Sequence, residues 1–281
     1  MTLWLNGTFF AKDEARIDPT DRGFLLGDGV FETMAVRDRK IAFADLHFDR
    51  LIRGADTLGI EIPYTIKELT AAITSLLRKA GDTTQDRTSV RLTLTRGTGP
   101  RGLVPSPSAK PTILITCAST PVPKESVSAI VATGRRNEFS PTANLKTLTY
   151  LDQILARQEA ASAGADDAIL LNTNGKVTCA TAANLFLWDS NTLITPPLLD
   201  GCLDGTVRRT ILEIASQSGI AIFEESVTPS TLANVESAFL TNSLIGLQPL
   251  HEIADRPLKT HALQEKLRDA FDQAERKSCE L

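Results

Sequence analysis

The chain has 281 residues, of which 42% are hydrophobic and 23% charged, and its formal net charge is −4. That is enough chain for two mixed α/β domains with sizeable cores, and the acidic balance, with no basic stripe, argues against nucleic acid or an anionic membrane as partner. Cys117, Cys179, Cys202 and Cys279 lie far apart without a CxxC pair, and the three histidines add no metal-ligand spacing. Free thiols and no metal are therefore expected, and with no signal-like or membrane-length apolar run the reading is cytoplasmic.

In chain order, residues 3–11 and 30–44 alternate as strands do, the second stretch broken by a turn at Asp38-Arg39-Lys40. Asp45 stands as the cap of a helix carrying Leu46, Arg50 and Ile52, which runs to Leu58 and stops at Gly59. Residues 66–79 have helical spacing and end at Gly81. Residues 89–95 and 112–118 read as strands around a Gly/Pro-rich loop, 96–111. Thr120-Pro-Val-Pro123 reads as a linker, because proline fixes φ and removes a backbone donor. The domains are therefore set at 1–119 and 125–281, joined by 120–124.

The second part opens with a strand from Val127 to about Thr133 and, after a polar loop, a helix over 148–163 stopped by Gly164. Residues 168–172 and 176–181 form a hairpin about Asn174-Gly175, a strong turn signal. Another strand pair covers 184–189 and 192–195, and a helix runs over 206–218. Strands near Ile220 and Ser237 and an amphipathic helix to Ser278 complete the chain. Strands outnumber helices without regular alternation, which favours α+β over a doubly wound sheet.

Lys146 is the first candidate for chemistry. It is the only charged residue between Phe139 and Leu151 and is flanked by Leu145 and Leu148. Apolar surroundings lower a lysine pKa and make the amine a usable nucleophile; the alternative is a surface lysine snorkelling ahead of a helix. The run Asp200-Gly-Cys-Leu-Asp-Gly-Thr206 leads into a helix whose first N–H groups, at Gly205, Thr206 and Val207, suit a phosphate. The alternative there is an ordinary capped helix, and Asp204 would repel an anion unless it points away. Arg50 offers a guanidinium for the same phosphate, or is a solvated helix arginine. Arg96 and Arg101, in Arg96-Gly-Thr-Gly-Pro-Arg-Gly102, suit substrate carboxylates or merely keep a loop soluble.

Six segments in this order resemble the fold-type-IV pyridoxal-phosphate enzymes, which include branched-chain and D-amino-acid transaminases and aminodeoxychorismate lyases. They are Asp21-Arg-Gly-Phe-Leu-Leu-Gly-Asp-Gly-Val-Phe-Glu-Thr33, His47-Phe-Asp-Arg-Leu51, Leu145-Lys-Thr-Leu-Thr-Tyr-Leu151, and the stretches 175–186, 203–208 and 241–249. The resemblance implies two α+β domains, a small N-terminal α/β sandwich and a larger β-barrel-like C-terminal domain, as in the D-amino-acid aminotransferases. It implies pyridoxal 5'-phosphate held between them in a homodimer. Lys146 would be the imine lysine and proton carrier. Arg50, Thr206, Val207 and Ser243 would bind the phosphate, and Tyr150 would approach the cofactor. Phe31 and Leu244 would line the substrate pocket beside Arg96 and Arg101.

One position departs from the family. Cys179 stands where its members carry a glutamate that holds the pyridine nitrogen protonated, and a thiol is a weak hydrogen-bond partner. A weaker electron sink handicaps transamination more than a reaction that expels a leaving group and gains an aromatic ring. The Arg-Gly at 101–102, with Leu103 following, and the stretch 241–249 are most similar to the lyases. The resemblance therefore points first to aminodeoxychorismate lyase. Behind it stand a transaminase of D-amino acids, branched-chain amino acids or (R)-amines, and a cofactor-binding homologue that has lost activity.

Overall fold

The structure is a computed structural model that describes residues 2–80 and 87–280, so the expected helix stop at Gly81 lies outside the described residues. The chain divides into two compact units. One comprises the chain to Val122, Lys146–Thr149 and the end from Glu275; the other comprises Pro123–Leu145 and Tyr150–Ala274.

In the first unit, β1 (Thr2–Leu5) and β2 (Thr8–Ala11) form a hairpin about Asn6-Gly7, both at positive φ. After the short α1 (Arg22–Leu26), β3 (Gly29–Arg37) turns at Asp38 and Arg39, also at positive φ, into β4 (Lys40–Ile41). Helices α2 (Ala44–Leu58) and α3 (Ile66–Lys79) follow, then β5 (Thr88–Thr95) and β6 (Thr112–Ser119). The described strands form a six-stranded antiparallel sheet in the order β2-β1-β6-β5-β3-β4.

The even positions of β3, Val30, Met34 and Val36, face a core shared with Leu51 of α2, Leu76 of α3 and Leu92 of β5. Met34, Leu51, Leu76 and Leu92 are at most 2% exposed. Each such burial stabilises by about 1.5–3 kcal/mol. Thr65 and Glu68 cap α3 reciprocally. Asp45 does not cap α2: the N-cap is Phe43, without a side-chain bond, and Asp45 sits in the first turn, where it meets the positive dipole end. Gly59 ends α2 in the left-handed conformation its sequence foretold.

The second unit contains β7 (Val127–Arg136), α4 (Leu151–Ser162), β8 (Asp167–Asn172), β9 (Val177–Ala180), β10 (Asn184–Asp189) and β11 (Thr192–Thr195). Next come α5 (Thr206–Gln217), β12 (Ile222–Glu224), α6 (Pro229–Asn234), β13 (Ser237–Asn242), β14 (Gly246–Ile253), β15 (Arg256–Pro257) and α7 (Ala262–Ser278), whose end belongs to the first unit. Its nine described strands make a mixed sheet in the order β12-β11-β10-β13-β14-β7-β8-β9, with β15 beside β14. The sheet curls as a half-barrel, so both units are α+β as expected. The hairpin at Asn174-Gly175 forms with Gly175 at φ 73°. The strand β14 and the helix α6 were not foreseen as elements.

Two expectations about boundaries need correction. Helix α4 begins at Leu151 rather than Leu148, because the Leu148 N–H donates to the Gly29 carbonyl at 3.0 Å instead of entering a helix. For the same reason Lys146–Thr149 belongs to the first unit and not to a continuous domain over 125–281; the end of the chain joins it too, with Arg37 paired to Glu275. Among the described residues no helix is long and apolar enough to cross a membrane.

Candidate active site

Strand register assembles the lysine site. Lys146–Leu148 runs along the edge of β3: the Phe31 N–H donates to the Lys146 carbonyl at 2.9 Å, and Val30 and Thr147 form an antiparallel bridge. Lys146 is thus directly opposite Phe31 and shares its face of the strand. On the other side of β3, Thr33 is opposite Arg91 of β5, which brings Arg91 to the same face one step along. The side chains agree with that arithmetic. Lys146 Nζ is 4.2 Å from the centre of the Phe31 ring and the Arg91 guanidinium is 3.7 Å from it. Cations over an aromatic face are attracted by its quadrupole.

One residue along β3, Glu32 points to the helix side with Val30 and Met34. A carboxylate at that inward position needs partners, and α2 supplies two, three residues apart on one helix face. Arg50 donates from Nε to Glu32 Oε1 at 2.8 Å and from Nη2 to Oε2 at 2.6 Å; His47 Nδ1 lies 2.6 Å from Oε2. Glu32 and His47 are 1% exposed and Arg50 8%. Burial raises the Glu32 pKa, but the charge and hydrogen bonds of Arg50 outweigh it and hold the carboxyl at about 2. Burial also keeps His47 below its usual range, against the pull of Glu32. The Lys146 amine is lowered to about 8, first by burial and then by the Arg50 charge; Glu32 opposes this and Arg91 adds to it. A buried amine that is partly neutral near pH 8 is a nucleophile and a base.

In the second unit, α5 begins at Gly205, which makes no side-chain capping bond, and its first residues Thr206 and Val207 are buried. The Thr206 hydroxyl lies 3.2 Å from that of Ser243. Asn242 shapes the turn that carries Ser243, its carboxamide accepting the N–H groups of Leu244 and Ile245. Asp204 is turned to Arg209, whose Nε is 2.9 Å from both carboxylate oxygens, so the acid next to the helix start is neutralised. Gly205 is required by space: a Cβ there would meet Asn184 Oδ1 at 2.1 Å, and Asn184 in turn donates to the Leu203 carbonyl at 2.8 Å. The result is a pair of hydroxyls beside the first backbone N–H groups of a positive helix end, groups of the kind that bind anions.

The remaining expected residues sort themselves. Tyr150 is the N-cap of α4, directly after the Lys146–Thr149 segment. Cys179 is buried among Ala132, Ala156, Ala160, Ala168, Leu170 and Cys202, and its sulfur lies 3.4 Å from the Thr178 hydroxyl. Arg101 is exposed in its loop. Arg96 differs from expectation. Its Nε donates to Asp28 Oδ2 at 2.8 Å, Nη1 to the Gly59 carbonyl at 2.9 Å and Nη2 to the Leu58 carbonyl at 2.7 Å. All three nitrogens are used in fastening the protein, which is the work of a structural arginine and not of a carboxylate clamp. Glu32, His47, Arg91 and Asn184 were not singled out from sequence.

With this geometry in hand, comparison with known proteins is decisive. The family profile of amino-transferase class IV matches residues 29–253. The chain belongs to that family. A putative branched-chain-amino-acid aminotransferase of Methanocaldococcus jannaschii is 33% identical over 96% of both chains. The aminodeoxychorismate lyase of Bacillus subtilis is 30% identical over 90% of this chain and 87% of its own. The branched-chain aminotransferase of Thermoproteus uzoniensis, solved with norvaline, superimposes with a TM-score of 0.90 at 28% identity, covering 97% of this chain and 94% of that one. The fold is that of the D-amino-acid aminotransferases. Class IV enzymes work with pyridoxal phosphate, which solved structures of this fold contain, and that is the cofactor of this chain.

Proposed function

We propose that this class IV enzyme is an aminodeoxychorismate lyase, converting 4-amino-4-deoxychorismate to 4-aminobenzoate and pyruvate. The residues present fit the cofactor. Lys146 provides a buried amine with a depressed pKa for its aldehyde. Thr206, Val207 and Ser243 offer hydroxyls and helix N–H groups of the kind that bind its phosphate, and Arg50 offers a guanidinium of matching chemistry. When bound, pyridoxal phosphate supplies an aldehyde that captures amines and a ring that withdraws electrons from the adjacent carbon. Lys146 would hold the cofactor's aldehyde, and its amine would take the proton from the substrate carbon bearing the amino group and give one to the departing enolpyruvyl group, which leaves as pyruvate. Phe31 and Leu244 bound the substrate, Arg101 meets a carboxylate and Tyr150 approaches the cofactor in this reading.

The observation that carries the choice is Cys179. On β9, at the position where the family pattern has glutamate, a thiol is packed among alanines. An elimination that makes an aromatic ring needs less electron withdrawal than transamination does. The second reading is a branched-chain aminotransferase, favoured by the 33% identical relative. A homodimer belongs to the same proposal, supported by exposed apolar side chains at Phe24, Leu25, Leu103 and Val104 of the first unit.

The test is purified enzyme offered aminodeoxychorismate and, separately, a panel of amino donors with a keto acid. The lyase releases 4-aminobenzoate without added keto acid. Keto-acid formation from a branched-chain or D-amino acid with no 4-aminobenzoate establishes the transaminase instead. Borohydride reduction followed by peptide mapping should place the cofactor on Lys146.

A further inference from the structure

We propose that Glu32 is a positioning residue for the reactive amine: it fixes Arg50 and His47 in one buried cluster and sets the electrostatic balance felt by Lys146. The proposal takes Lys146 as the reactive group from the reading above and goes beyond it in assigning a role to a side chain that would touch neither cofactor nor substrate.

The geometry is over-determined. The two oxygens of Glu32 receive Nε and Nη2 of Arg50 at 2.8 and 2.6 Å, a two-point fork that fixes the guanidinium plane. The oxygen that takes Nη2 also meets His47 Nδ1 at 2.6 Å, so the neutral ring presents its Nδ1–H to the carboxylate. The charged and titratable groups that act on the amine come from three elements. Glu32 is on β3, Arg50 and His47 are on α2, and Arg91 is on β5, stacked on the same Phe31 ring as Lys146. Two of these are permanent cations, and Glu32 is the carboxylate that opposes them. Without it, the balance would tip toward Arg50 and Arg91, and an amine under the charge of two guanidinium groups would lose its proton too readily to return one. With it, the amine stays within reach of both protonation states near neutral pH, which a group that alternately takes and gives a proton requires.

The experiment uses the unloaded enzyme, so that it does not depend on which reaction the protein catalyses. The reactivity of the Lys146 amine is measured against pH by competitive acylation and mass spectrometry of its peptide. In the wild type the midpoint is expected at about 8. In Glu32→Gln, which keeps shape and removes charge, it is expected to fall by about 1 or more, the effect of one near countercharge. Glu32→Asp, which keeps the charge, should stay nearer the wild-type value. Arg50→Gln should move the midpoint the opposite way, upward. Unchanged midpoints in both Glu32→Gln and Arg50→Gln overturn the proposal, and if Glu32→Gln fails to fold, Arg50→Gln alone decides. If the borohydride adduct is found elsewhere than Lys146 while these midpoints move as stated, the reading of the reaction fails and the electrostatic role stands.

Discussion

The first unit contains two carboxylate–arginine clusters built from similar parts to different ends. In one, Glu32 takes Arg50 and His47 through side-chain atoms, the guanidinium forked across its two oxygens. In the other, Asp28 Oδ2 receives Nε of both Arg22 and Arg96 at 2.8 Å, and the other nitrogens of those arginines hold backbone carbonyls: Gly102 and Leu103 for Arg22, Leu58 and Gly59 for Arg96. The first cluster is the one proposed to tune the Lys146 amine; the second ties a loop and a helix end together. The lesson is that the partners of a guanidinium reveal its function better than its neighbours in sequence do. A carbonyl-bound arginine is a fastener, whereas one forked onto a buried carboxylate is aimed.

The largest break in that comparison is Glu32→Ala. It leaves Arg50 and His47 buried without their counter-ion, a change that costs about 3–5 kcal/mol. Urea unfolding of the unloaded protein should show it. A loss below about 1 kcal/mol would mean that water replaces the carboxylate and that the cluster is not buried as described.

Lys146→Met sharpens the contrast from the other side. The lysine pKa is 10.5 when exposed and about 8 when folded, which corresponds to a cost of roughly 3 kcal/mol at 1.36 kcal/mol per unit. Below pH 8 the amine is protonated in both states and the folded protein bears that whole cost. Between 8 and 10.5 the unfolded chain binds more protons, so wild-type stability rises with pH; above 10.5 both states are neutral and the cost is gone. The unloaded Met variant should therefore be inactive yet more stable than wild type at pH 7, with the difference vanishing above about pH 10.5. An equally large difference at pH 11 would point to packing instead of charge.

Asp28→Asn is expected to have a smaller effect, about 1–3 kcal/mol, because both arginines keep their carbonyl partners when the shared acceptor is weakened. Hydrogen exchange should quicken in residues 96–103, while the Lys146 midpoint stays put.

Much of this was legible in sequence. The turns at Asp38-Arg39 and Asn174-Gly175, the glycine that stops α2, the full extent of α3 and the start of α5 follow from local chemistry: turn residues, caps and periodicity; the turn at Asn6-Gly7, inside a stretch read as one strand, was missed. The lysine motif was legible too, but not its place. Lys146–Thr149 abandons helix for a strand edge because of carbonyl and N–H partners at Gly29 and Phe31, and such long-range pairing leaves no local trace. Glu32 was legible and overlooked, since alternation already places it inward among Val30 and Met34, and His47 and Arg50 share one helix face. The fate of Arg96 was not, for its partners are main-chain atoms, and main-chain atoms have no residue type to read.

Arg96→Lys gives the smallest effect and bears most directly on the difference between fastener and clamp. Lysine keeps a positive charge near the last carbonyls of α2, where the helix dipole favours it, and can still pair with Asp28. It loses the rigid fork that reaches the Leu58 and Gly59 carbonyls together. A net loss of about 1 kcal/mol is expected, the worth of an ordinary hydrogen bond or two. Because that change is confined to the fastening, KM for a carboxylate substrate should stay within about threefold of wild type, whereas Arg101→Lys should raise it about tenfold, a difference of 1.4 kcal/mol. If instead Arg96→Lys raises KM as much as Arg101→Lys does, then Arg96 leaves its carbonyls when substrate arrives, and the two clusters differ less in kind than their resting geometry implies.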